Sequence, residues 1–407
     1  MFNAAIIGVS GFGAVHYQDF VREHAAGRIR PVGATVINQA EEPEKCAWLR
    51  SIGCPLYTDY REMLRDLAGK IDICFIPTGI ALHKPMTIAA LEAGANVYVE
   101  KPIAPTVTDA EAMLEASRRT GKFVAVGYQT MYQPETRRIK EMLLAGRIGK
   151  VKILKSYGLW PRDFVYYHRN NWVAKIGTRE NPNLDSPYSN AFAHFLNLLC
   201  FYAGEQFATT GTPESIRGAM YRANPIESCD TADLEITTRE GKTIFFYVTH
   251  CSVRNDTPYS AIIGEKGSIE YTTSRTTVRD SSGEIVEEFD STPGNEMRVH
   301  IYDALEKRLK DPSAFICTPE IAMCHTRVCN AAFDSIPVTG VPEGAFHLAK
   351  TPAGTEYRII DGIDEAIEHA YAENRLIDKR DLPWAVNSEP FSLAGYHSFC
   401  GRMLNKN

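Results

Sequence analysis

The sequence of 407 residues predicts an α/β protein with two domains. The first is a doubly wound parallel sheet, and the second is an α+β domain with a large, mostly antiparallel open sheet. Strand and helix patterns alternate over residues 1–124, and a glycine-rich segment separates the first strand from the first helix. Beyond residue 128, strand-like runs joined by hairpin turns replace this alternation, so we assign residues 125–407 to the second domain.

The elements of the first domain follow from hydrophobic periodicity and from turn residues. IDICFIPT is continuously apolar, which is typical of a strand covered on both sheet faces. The other predicted strands are AAIIGV, IRPVGATVIN, NVYVE and FVAVGY. The predicted helices are AVHYQDFVREHAAG, EEPEKCAWLRSIG, TDYREMLRDLAG with Thr58 as its N-cap, HKPMTIAALEAG and TVTDAEAMLEASRRTG.

The second domain begins with a predicted helix, ETRRIKEMLLAG, and continues with strands. The EGK and EKG turns between apolar runs predict hairpins and therefore an antiparallel sheet. The predicted strand regions are KVKILKSYGL, SIRGAMYRA, ADLEITTRE, TIFFYVTHCS, YSAIIGEKGSIEYTT and TTVRDSSGEIVEEF. The later predicted helices are NEMRVHIYDALEKRLK, TPEIAMCHTRVCNAAFDSI and IIDGIDEAIEHAYAE.

Composition excludes several classes of partner. The net charge of −6 argues against nucleic acid or an anionic membrane surface, and no apolar run is long enough to span a bilayer. No signal-peptide pattern precedes the first strand, so we expect a cytoplasmic protein. The ten cysteines are scattered through apolar patterns, as buried thiols of a reducing compartment are. Cys324, His325 and Cys329 lack a clean same-face spacing, so we expect no metal.

The segment AAIIGVSGFGAVHY has the properties of a dinucleotide phosphate loop. Gly8 allows a tight turn, and the small Ser10 together with Gly11 lets the backbone approach a pyrophosphate. Gly13 lets the helix pack closely on the strand, and Phe12 is a further loop residue expected at the cofactor. The position of this segment between a strand and a helix predicts a Rossmann domain that binds NAD or NADP.

The end of the second strand bears on the choice of cofactor. An acid that binds the adenosine ribose is usual there, but this chain has Asn38, whose amide can also bond a hydroxyl. No arginine lies beside Asn38 to pair with a 2′-phosphate, and Glu41 and Glu42 would repel one. We therefore expect NAD, with NADP as the open alternative.

The stretch NVYVEKPIAPT ends a predicted strand with Glu100, Lys101 and Pro102. Ligands of an open α/β sheet lie outside the carboxyl ends of its strands, so Lys101 is expected beside the nicotinamide. A partly desolvated lysine next to a cationic ring can exchange a proton near neutral pH. Pro102 restricts the turn, and Glu100 is expected to orient Lys101 or to bind a cofactor ribose.

The glycine loop, PTGIALHKPMTIAALEAGANVYVEKPIA and AVGYQTMYQP together resemble the glucose-fructose oxidoreductase, inositol dehydrogenase and MocA (Gfo/Idh/MocA) family. The Glu-Lys-Pro tripeptide at the end of the fifth strand is the signature of this family. The resemblance implies an NAD(P)-dependent oxidoreductase and places Pro77, Thr78, His83 and Gln129 at the cofactor. Met131 departs from the pattern, because relatives commonly carry arginine there.

The resemblance reaches the second domain at SNAFAH. Dehydrogenases of the family carry an aspartate and, four residues later, a histidine on one helical face; here these positions hold Asn190 and His194. An amide cannot hold the proton that an aspartate could, so Lys101 and His194 are the expected acid/base pair, with Asn190 orienting a hydroxyl. Asp185 is a candidate to replace the missing carboxylate.

The segment SYGLWPRDFVYYHRNNW is rich in aromatic and polar side chains. Trp160 and Trp172 could stack on a sugar face, while Arg162, Asp163 and His168 could bind hydroxyl groups. Flat apolar surfaces rimmed by hydrogen-bonding groups suit carbohydrates. The alternative is a loop that packs on its own domain or on a neighbouring subunit.

Three functions are compatible with these residues. The favoured one is hydride transfer between a nicotinamide cofactor and a hydroxyl of a sugar, sugar derivative or cyclitol. The alternatives are an NAD-dependent glycoside-cleaving enzyme that acts by oxidation and elimination, and a non-catalytic nucleotide-binding regulator. Family members usually assemble through the sheet of the second domain, and TIFFYVTH is apolar on both faces, so we expect a homodimer or homotetramer.

Overall fold

A computed structural model describes residues 1–294 and 296–402, and it confirms the predicted fold class. The chain forms two compact units. The first comprises Met1–Tyr132 and Glu296–Met323, and the second comprises Gln133–Asn295 and Cys324–Asn407. The sequence pattern places residues 296–323 in the second domain, whereas the structure groups them with the first unit.

The first unit contains a six-stranded parallel sheet in the order β3-β2-β1-β4-β5-β6. Its strands are β1 (Phe2–Ile7), β2 (Ile29–Thr35), β3 (Leu56–Tyr57), β4 (Ile73–Ile76), β5 (Asn96–Val99) and β6 (Val124–Val126). Its helices in the first segment are α1 (Gly13–Ala25), α2 (Pro43–Ser51), α3 (Tyr60–Asp66), α4 (Ile80–Glu92) and α5 (Val107–Thr120). The two-residue strand β3 is too short to leave a period-2 pattern, and the sequence did not predict it.

The N-cap of α3 is Asp59, so the assignment of Thr58 to this position is wrong. An Asp59 carboxylate oxygen accepts the backbone N–H of Arg61 at 2.8 Å. Aspartate is at least as good an N-cap as threonine, and it lies one residue closer to the first helical turn. In α5 the cap is as the pattern predicts, because Thr106 accepts the N–H of Asp109 at 3.1 Å.

Helix α9 (Met297–Lys310) explains why the first unit has two segments. Its buried Tyr302 stacks on Phe75 of β4, with ring centroids 5.4 Å apart and planes at 17°. Asp303 of the same helix pairs with Arg28 at 2.6 Å. Periodicity showed that α9 has an apolar face, but periodicity carries no information about which sheet that face covers.

The second unit contains a ten-stranded sheet in the order β14-β13-β12-β11-β7-β10-β9-β8-β15, with β18 paired to β8. The pairs β9–β10 and β11–β12 are the hairpins predicted at EGK and EKG; β7–β10 and β8–β15 are parallel. The strands are β7 (Val151–Leu159), β8 (Pro213–Arg222), β9 (Thr231–Thr238), β10 (Thr243–Thr249), β11 (Asp256–Gly264), β12 (Gly267–Tyr271), β13 (Arg275–Asp280), β14 (Ile285–Asp290), β15 (Val338–Gly340) and β18 (Phe391–Ser392).

A separate hairpin and several helices complete the chain. The hairpin is β16 (Phe346–Lys350) with β17 (Glu356–Ile360). The helices are α6 (Pro134–Leu144), α7 (Phe164–His168), α8 (Ala193–Ala203), α10 (Pro319–Ser335) and α11 (Ile363–Glu373). Over the described parts of the chain, every helix falls short of the length and apolarity needed to cross a bilayer.

Strand β10 is buried on both faces within one chain. Phe245 and Tyr247 belong to a core cluster that includes Ile363 and Ile367 of α11. The Tyr247 hydroxyl also donates to the carbonyl oxygen of Arg375, just beyond α11, at 2.7 Å. The face of TIFFYVTH that carries Phe245 and Tyr247 is therefore covered by α11 of the same chain.

Candidate active site

The glycine loop is open to solvent and lies at the amino end of α1. Gly8 has a φ of +94°, and Ser10, Gly11 and Phe12 are exposed. A Cβ atom at Gly13 would lie 2.7 Å from the Gly8 carbonyl oxygen, so only glycine fits there. This close strand–helix packing and the free edge of the loop fit a dinucleotide pyrophosphate, which the helix N-terminus would attract.

The residues after β2 form a small polar group next to the loop. The Asn38 amide donates to Glu41 at 3.1 Å. Lys45 pairs with Glu42 at 2.7 Å and donates to the carbonyl oxygen of Val9 at 2.8 Å. Hydrogen bonds from Lys45 and Ser10 lower the pKa of the Glu42 carboxyl group. Sequence patterns did not single out Lys45, because its distance from the loop along the chain gives no sign of the contact.

The end of β4 lies against the same loop. Pro77 is buried and Thr78 is half-buried; the Thr78 methyl group lies 3.6 Å from the Cβ position of Gly8. His83 is fully buried, with Nε2 3.1 Å from the Thr78 carbonyl oxygen and Nδ1 2.9 Å from that of Pro102. Burial lowers the pKa of His83. Pro77 and Thr78 therefore flank the loop, whereas His83 connects two backbone segments.

Glu100 and Lys101 follow β5 directly. The Glu100 side chain is buried, and its Oε1 accepts a hydrogen bond from His16 Nε2 at 2.8 Å. Its Oε2 accepts the backbone N–H of Lys101 at 3.1 Å. Lys101 is half-buried, and its bond to Pro102 is cis. Of the two roles expected for Glu100, these contacts favour the orientation of Lys101.

Gln129 and Met131 lie in a short 3-10 turn after β6. Gln129 is half-buried, and its amide nitrogen lies 3.7 Å from the sulfur of Met297 in α9. Met131 is fully buried. The residue that departs from the family pattern is therefore a core residue of the first unit in this chain.

In the second unit, Asp185 and Asn190 are in direct contact. Asp185 is buried; its Oδ1 accepts the Asn190 amide at 2.8 Å, and its Oδ2 accepts the backbone N–H of Ala174 at 2.6 Å. The carboxylate that could replace the missing aspartate thus lies next to the amide that occupies the aspartate position. An amide and a carboxylate in contact are groups that can bind a hydroxyl.

Asn190 and His194 lie on different helical elements, which corrects the expectation of one continuous helix. Asn190 lies in a π-helical turn, Pro187–Ala191, and His194 is the second residue of α8. The turn is held at its start by reciprocal hydrogen bonds between Ser186 and Ser189. Its wider geometry changes the angle between residues four apart, and π-turns recur at functional sites.

The aromatic segment after β7 forms a ring stack. Trp160 lies on Phe192, with centroids 4.3 Å apart and planes at 23°, and Phe192 stacks on His250 at 5.6 Å. The Arg162 guanidinium lies 5.6 Å from the Trp160 ring. Burial, together with the charge of Arg162, lowers the pKa of His250 to about 3, so its imidazole is neutral. Sequence reasoning did not identify His250, which lies at the end of a distant strand.

The other candidates for substrate binding have different surroundings. Asp163 caps α7 by accepting the N–H of Tyr166 at 2.9 Å, and its second oxygen accepts the Thr355 hydroxyl at 2.6 Å. Both oxygens thus have structural partners. His168 is exposed at the end of α7, and Trp172 is half-buried beside a small apolar cluster.

No group of three or more histidine, cysteine or acidic side chains arranged to hold a metal ion occurs in residues 1–294 and 296–402. Cys329 Sγ instead lies 3.4 Å from His325 Nε2, and Cys324 Sγ lies 3.5 Å from the carbonyl oxygen of Gly211. These side chains pack inside the second unit.

Residues 2–128 match a family model described as "Oxidoreductase family, NAD-binding Rossmann fold". The match confirms the resemblance for the part of the chain that carries the glycine loop and the Glu-Lys-Pro turn. It also identifies nicotinamide dinucleotides as the cofactor class of this domain.

Sequence comparison finds relatives that act on sugars and cyclitols. The chain is 29% identical over 160 residues to dTDP-3,4-didehydro-2,6-dideoxy-alpha-D-glucose 3-reductase of Streptomyces violaceoruber, covering 39% of this chain and 45% of that protein. It is 27% identical over 206 residues to inositol 2-dehydrogenase of Azotobacter vinelandii, covering 50% and 55%. It is 28% identical over 166 residues to scyllo-inositol 2-dehydrogenase (NAD(+)) of Bacillus subtilis, covering 40% and 46%. The alignments span about half the length of these relatives.

Solved structures share the fold over most of their length. The WlbA dehydrogenase from Bordetella pertussis, in complex with NADH and UDP-GlcNAcA, has a TM-score of 0.63 and 21% identity, covering 81% of this chain and 94% of its own. Levoglucosan dehydrogenase in complex with NADH has a TM-score of 0.66 and 16% identity, covering 81% and 95%. About a fifth of this chain has no counterpart in either structure.

Proposed function

Because residues 2–128 belong to the Gfo/Idh/MocA oxidoreductase family, we propose that the protein is an NAD(P)-dependent oxidoreductase acting on a hydroxyl of a sugar, sugar derivative or cyclitol. The observation that carries this proposal is local to the first unit. An open glycine loop follows β1, and a lysine whose backbone N–H is bound by a buried carboxylate follows β5; both strands belong to one parallel sheet, with β4 between them. Family membership alone leaves many activities open, so the site decides the reaction class.

The cofactor is assigned to the first unit. We propose that the loop from Gly8 to Gly13 binds the pyrophosphate, with Pro77 and Thr78 beside it and Asn38 near the adenosine ribose. Gln129, Glu100 and Lys101 belong to the nicotinamide end, and His83 supports the backbone there. When bound, NAD or NADP supplies the hydride acceptor or donor.

The proton of the substrate hydroxyl is assigned to Lys101 and His194. Lysine and histidine can both exchange a proton with a hydroxyl at a pH near neutrality. Asn190, whose amide nitrogen donates to Asp185 at 2.8 Å, is assigned the orientation of that hydroxyl. Asp185 thus places its carboxylate in contact with Asn190, five residues later, which occupies the position where relatives carry an aspartate.

The substrate is assigned to the second unit. The stack of Trp160 on Phe192 leaves Trp160 half-exposed as a flat surface, with Arg162 beside it. Aromatic faces with adjacent hydrogen-bond donors bind sugar rings and cyclitols. We propose that His168 and Trp172 also bind the substrate, whereas Asp163 acts through the capping of α7.

A cofactor-reduction assay tests the proposed reaction. The full chain is mixed with NAD or NADP and a panel of cyclitols, sugars and sugar nucleotides, and the absorbance band of the reduced nicotinamide is followed. Substrate-dependent reduction supports the proposal. Sugar release without net reduction points instead to oxidation and elimination, and cofactor binding without turnover across the panel points to a regulator; either result contradicts it.

Cofactor preference is expected to depend on Glu42. Replacing Glu42 with glutamine removes a negative charge beside Ser10 and releases Lys45 from its 2.7 Å ion pair. We expect the NADP to NAD ratio of kcat/KM to rise about fivefold, since one charge contact at a partly exposed site is worth on the order of 1 kcal/mol. Steady-state kinetics with both cofactors measures the ratio.

The matched control is Glu44→Gln, which removes the same charge from an exposed position in the first turn of α2. It should leave the ratio unchanged. An equal rise in both variants would show that net charge, and not the Glu42–Lys45 pair, sets the preference.

Assembly and location are also proposals. Any homodimer or homotetramer is expected to use a surface other than the β10 face that α11 covers, and light scattering on the purified chain measures the stoichiometry. We propose a cytoplasmic location, because all ten cysteines lie in the described residues as free thiols, nine of them buried.

A further inference from the structure

Glu100 lies in an unusual position for a carboxylate. It follows β5 and is only 5% exposed, although charged side chains are rarely buried unless they are paired. The Glu100 carboxylate fits there because Gly127 has no side chain; a Cβ atom at residue 127 would lie 3.0 Å from the carboxylate. A side chain at residue 127 would therefore crowd the carboxylate and force it to shift.

Two side chains from outside β5 stabilise this carboxylate. His16 of α1 is fully buried and donates to Glu100 Oε1 at 2.8 Å. Arg298 of α9 adds a positive charge, and its own position is fixed by a 2.5 Å ion pair with the buried Asp19. Asp19 is also on α1, one helical turn beyond His16. The first unit thus places four polar side chains from three elements in its interior.

These groups keep Glu100 ionised. Burial alone would raise the pKa of Glu100, but the hydrogen bond from His16 and the positive charges of Arg298 and Lys101 outweigh it and lower this pKa. Burial lowers the pKa of His16, so the imidazole is neutral and donates its Nε2 proton. Charged and titratable groups that interact with Glu100 are His16, His83, Tyr98, Lys101, Tyr132 and Arg298.

A buried ionic network of this kind contributes little to stability. The cost of removing charges from water offsets most of the attraction between them, and apolar replacements are often as stable. Networks whose members are all paired do, however, hold side chains in a single arrangement. The role of this network is therefore to orient the group that it binds. That group is the backbone N–H of Lys101, which lies 3.1 Å from Glu100 Oε2.

We infer that His16 and Arg298 are positioning residues for the proton-transfer step: they hold Glu100 as a fixed anion, which in turn sets the direction and charge state of Lys101. The inference rests on the proposed function only for the identity of the step. Neither residue was singled out by the sequence, because His16 looks like an ordinary residue of α1 and Arg298 lies in a helix that is remote along the chain. His83 adds a second constraint, since its Nδ1 lies 2.9 Å from the Pro102 carbonyl oxygen.

The test uses the full chain and four substitutions. Glu100→Gln keeps the shape of the side chain and removes its charge, His16→Leu removes the donor, and Arg298→Met removes the positive charge. His16→Gln is the conservative variant, because its amide can still donate to Glu100. Circular dichroism identifies which variants fold. If one of the less conservative variants does not fold, the near-isosteric Glu100→Gln still decides the test.

Two readouts separate positioning from general damage. The first is the pH profile of Lys101 modification by an amine-selective reagent, followed by mass spectrometry of the peptide that contains it. Loss of the Glu100 charge makes the ammonium form of Lys101 less favourable, so the profile should move to lower pH in Glu100→Gln, whereas His16→Leu and Arg298→Met leave Glu100 ionised and are judged by turnover. The second is turnover with the substrate found in the reduction assay: kcat should fall about 10- to 100-fold while KM changes less than about threefold.

The controls are His16→Gln and Arg22→Met, and both should retain the wild-type modification profile. Arg22 pairs with the same Asp19 at 2.7 Å, but its side chain is 41% exposed and it does not contact Glu100. An unchanged profile in folded Glu100→Gln, wild-type kcat in both folded His16→Leu and Arg298→Met, or an equal shift of the profile in Arg22→Met overturns the inference. Because Lys101 modification needs no substrate, a protein that fails the reduction assay can still pass or fail this test.

Discussion

Replacing Lys101 with methionine is expected to lower kcat for the oxidation of the substrate hydroxyl by about 10³-fold, the middle of the range for general acid–base catalysis. Methionine has a similar length and an apolar stem, so it fills the half-buried position of Lys101 without a group that can carry a proton. The glycine loop is untouched, and NAD should bind with unchanged affinity. Stopped-flow or steady-state reduction assays measure kcat, and quenching of tryptophan fluorescence measures NAD binding.

The matched control for Lys101 is Lys70→Met, an exposed lysine of the same unit. It should retain wild-type kcat, because it lies in the turn before β4 and its ammonium group donates to the Asp66 carbonyl oxygen at 3.3 Å. Turnover within about threefold of wild type in Lys101→Met would remove this lysine from the mechanism. Loss of NAD affinity in the same variant would instead assign Lys101 to cofactor binding.

The second large effect is expected at Gly13. A valine there would place its Cβ 2.7 Å from the Gly8 carbonyl oxygen and its methyl groups near Pro77. Overpacking of this kind costs about 1–3 kcal/mol, and a displaced loop loses the backbone contacts that bind a pyrophosphate. We expect the Kd for NAD to rise by at least about 100-fold, which corresponds to roughly 3 kcal/mol. Isothermal titration calorimetry measures the Kd.

Gly340→Ala is the comparison for Gly13. Gly340 ends β15, is exposed, and has no atom within 4 Å of its Cβ position, so alanine should leave NAD affinity and folding unchanged. Thermal unfolding separates a local effect at Gly13 from a general one. Wild-type affinity in a folded Gly13→Val protein would mean that the cofactor does not use this loop.

The first domain was predictable because its signals are local. Local sequence, within about a dozen residues, predicts strand IDICFIPT, the loop from Gly8 to Gly13 and the capped helix after Thr106. The contacts of Glu100 were not predictable, because His16 and Arg298 are brought to it by folding from positions far away in the chain. The spacing of these residues along the sequence does not predict such a contact.

The second domain shows where pattern reasoning reaches its limit. Hairpins at EGK and EKG could be predicted from turn residues. The parallel pairing of β7 with β10 could not, because the residue pattern of a strand does not show which strand lies beside it. The spacing of Asn190 and His194 predicted one helix, and the chain forms a π-turn before α8 instead. Serine at both ends of SPYS reciprocally caps that turn, although it lacks the usual Glu or Gln of a capping box.

The position of α11 over β10 has a consequence for protein synthesis. Phe245 and Tyr247 leave the ribosome well before Ile363 and Ile367, which cover them in the finished fold. During that interval the nascent chain exposes an apolar sheet surface of the kind that chaperones recognise and that promotes aggregation. A prematurely terminated polypeptide ending before α11 would keep that surface exposed, so cells are expected to degrade it or deposit it as insoluble material.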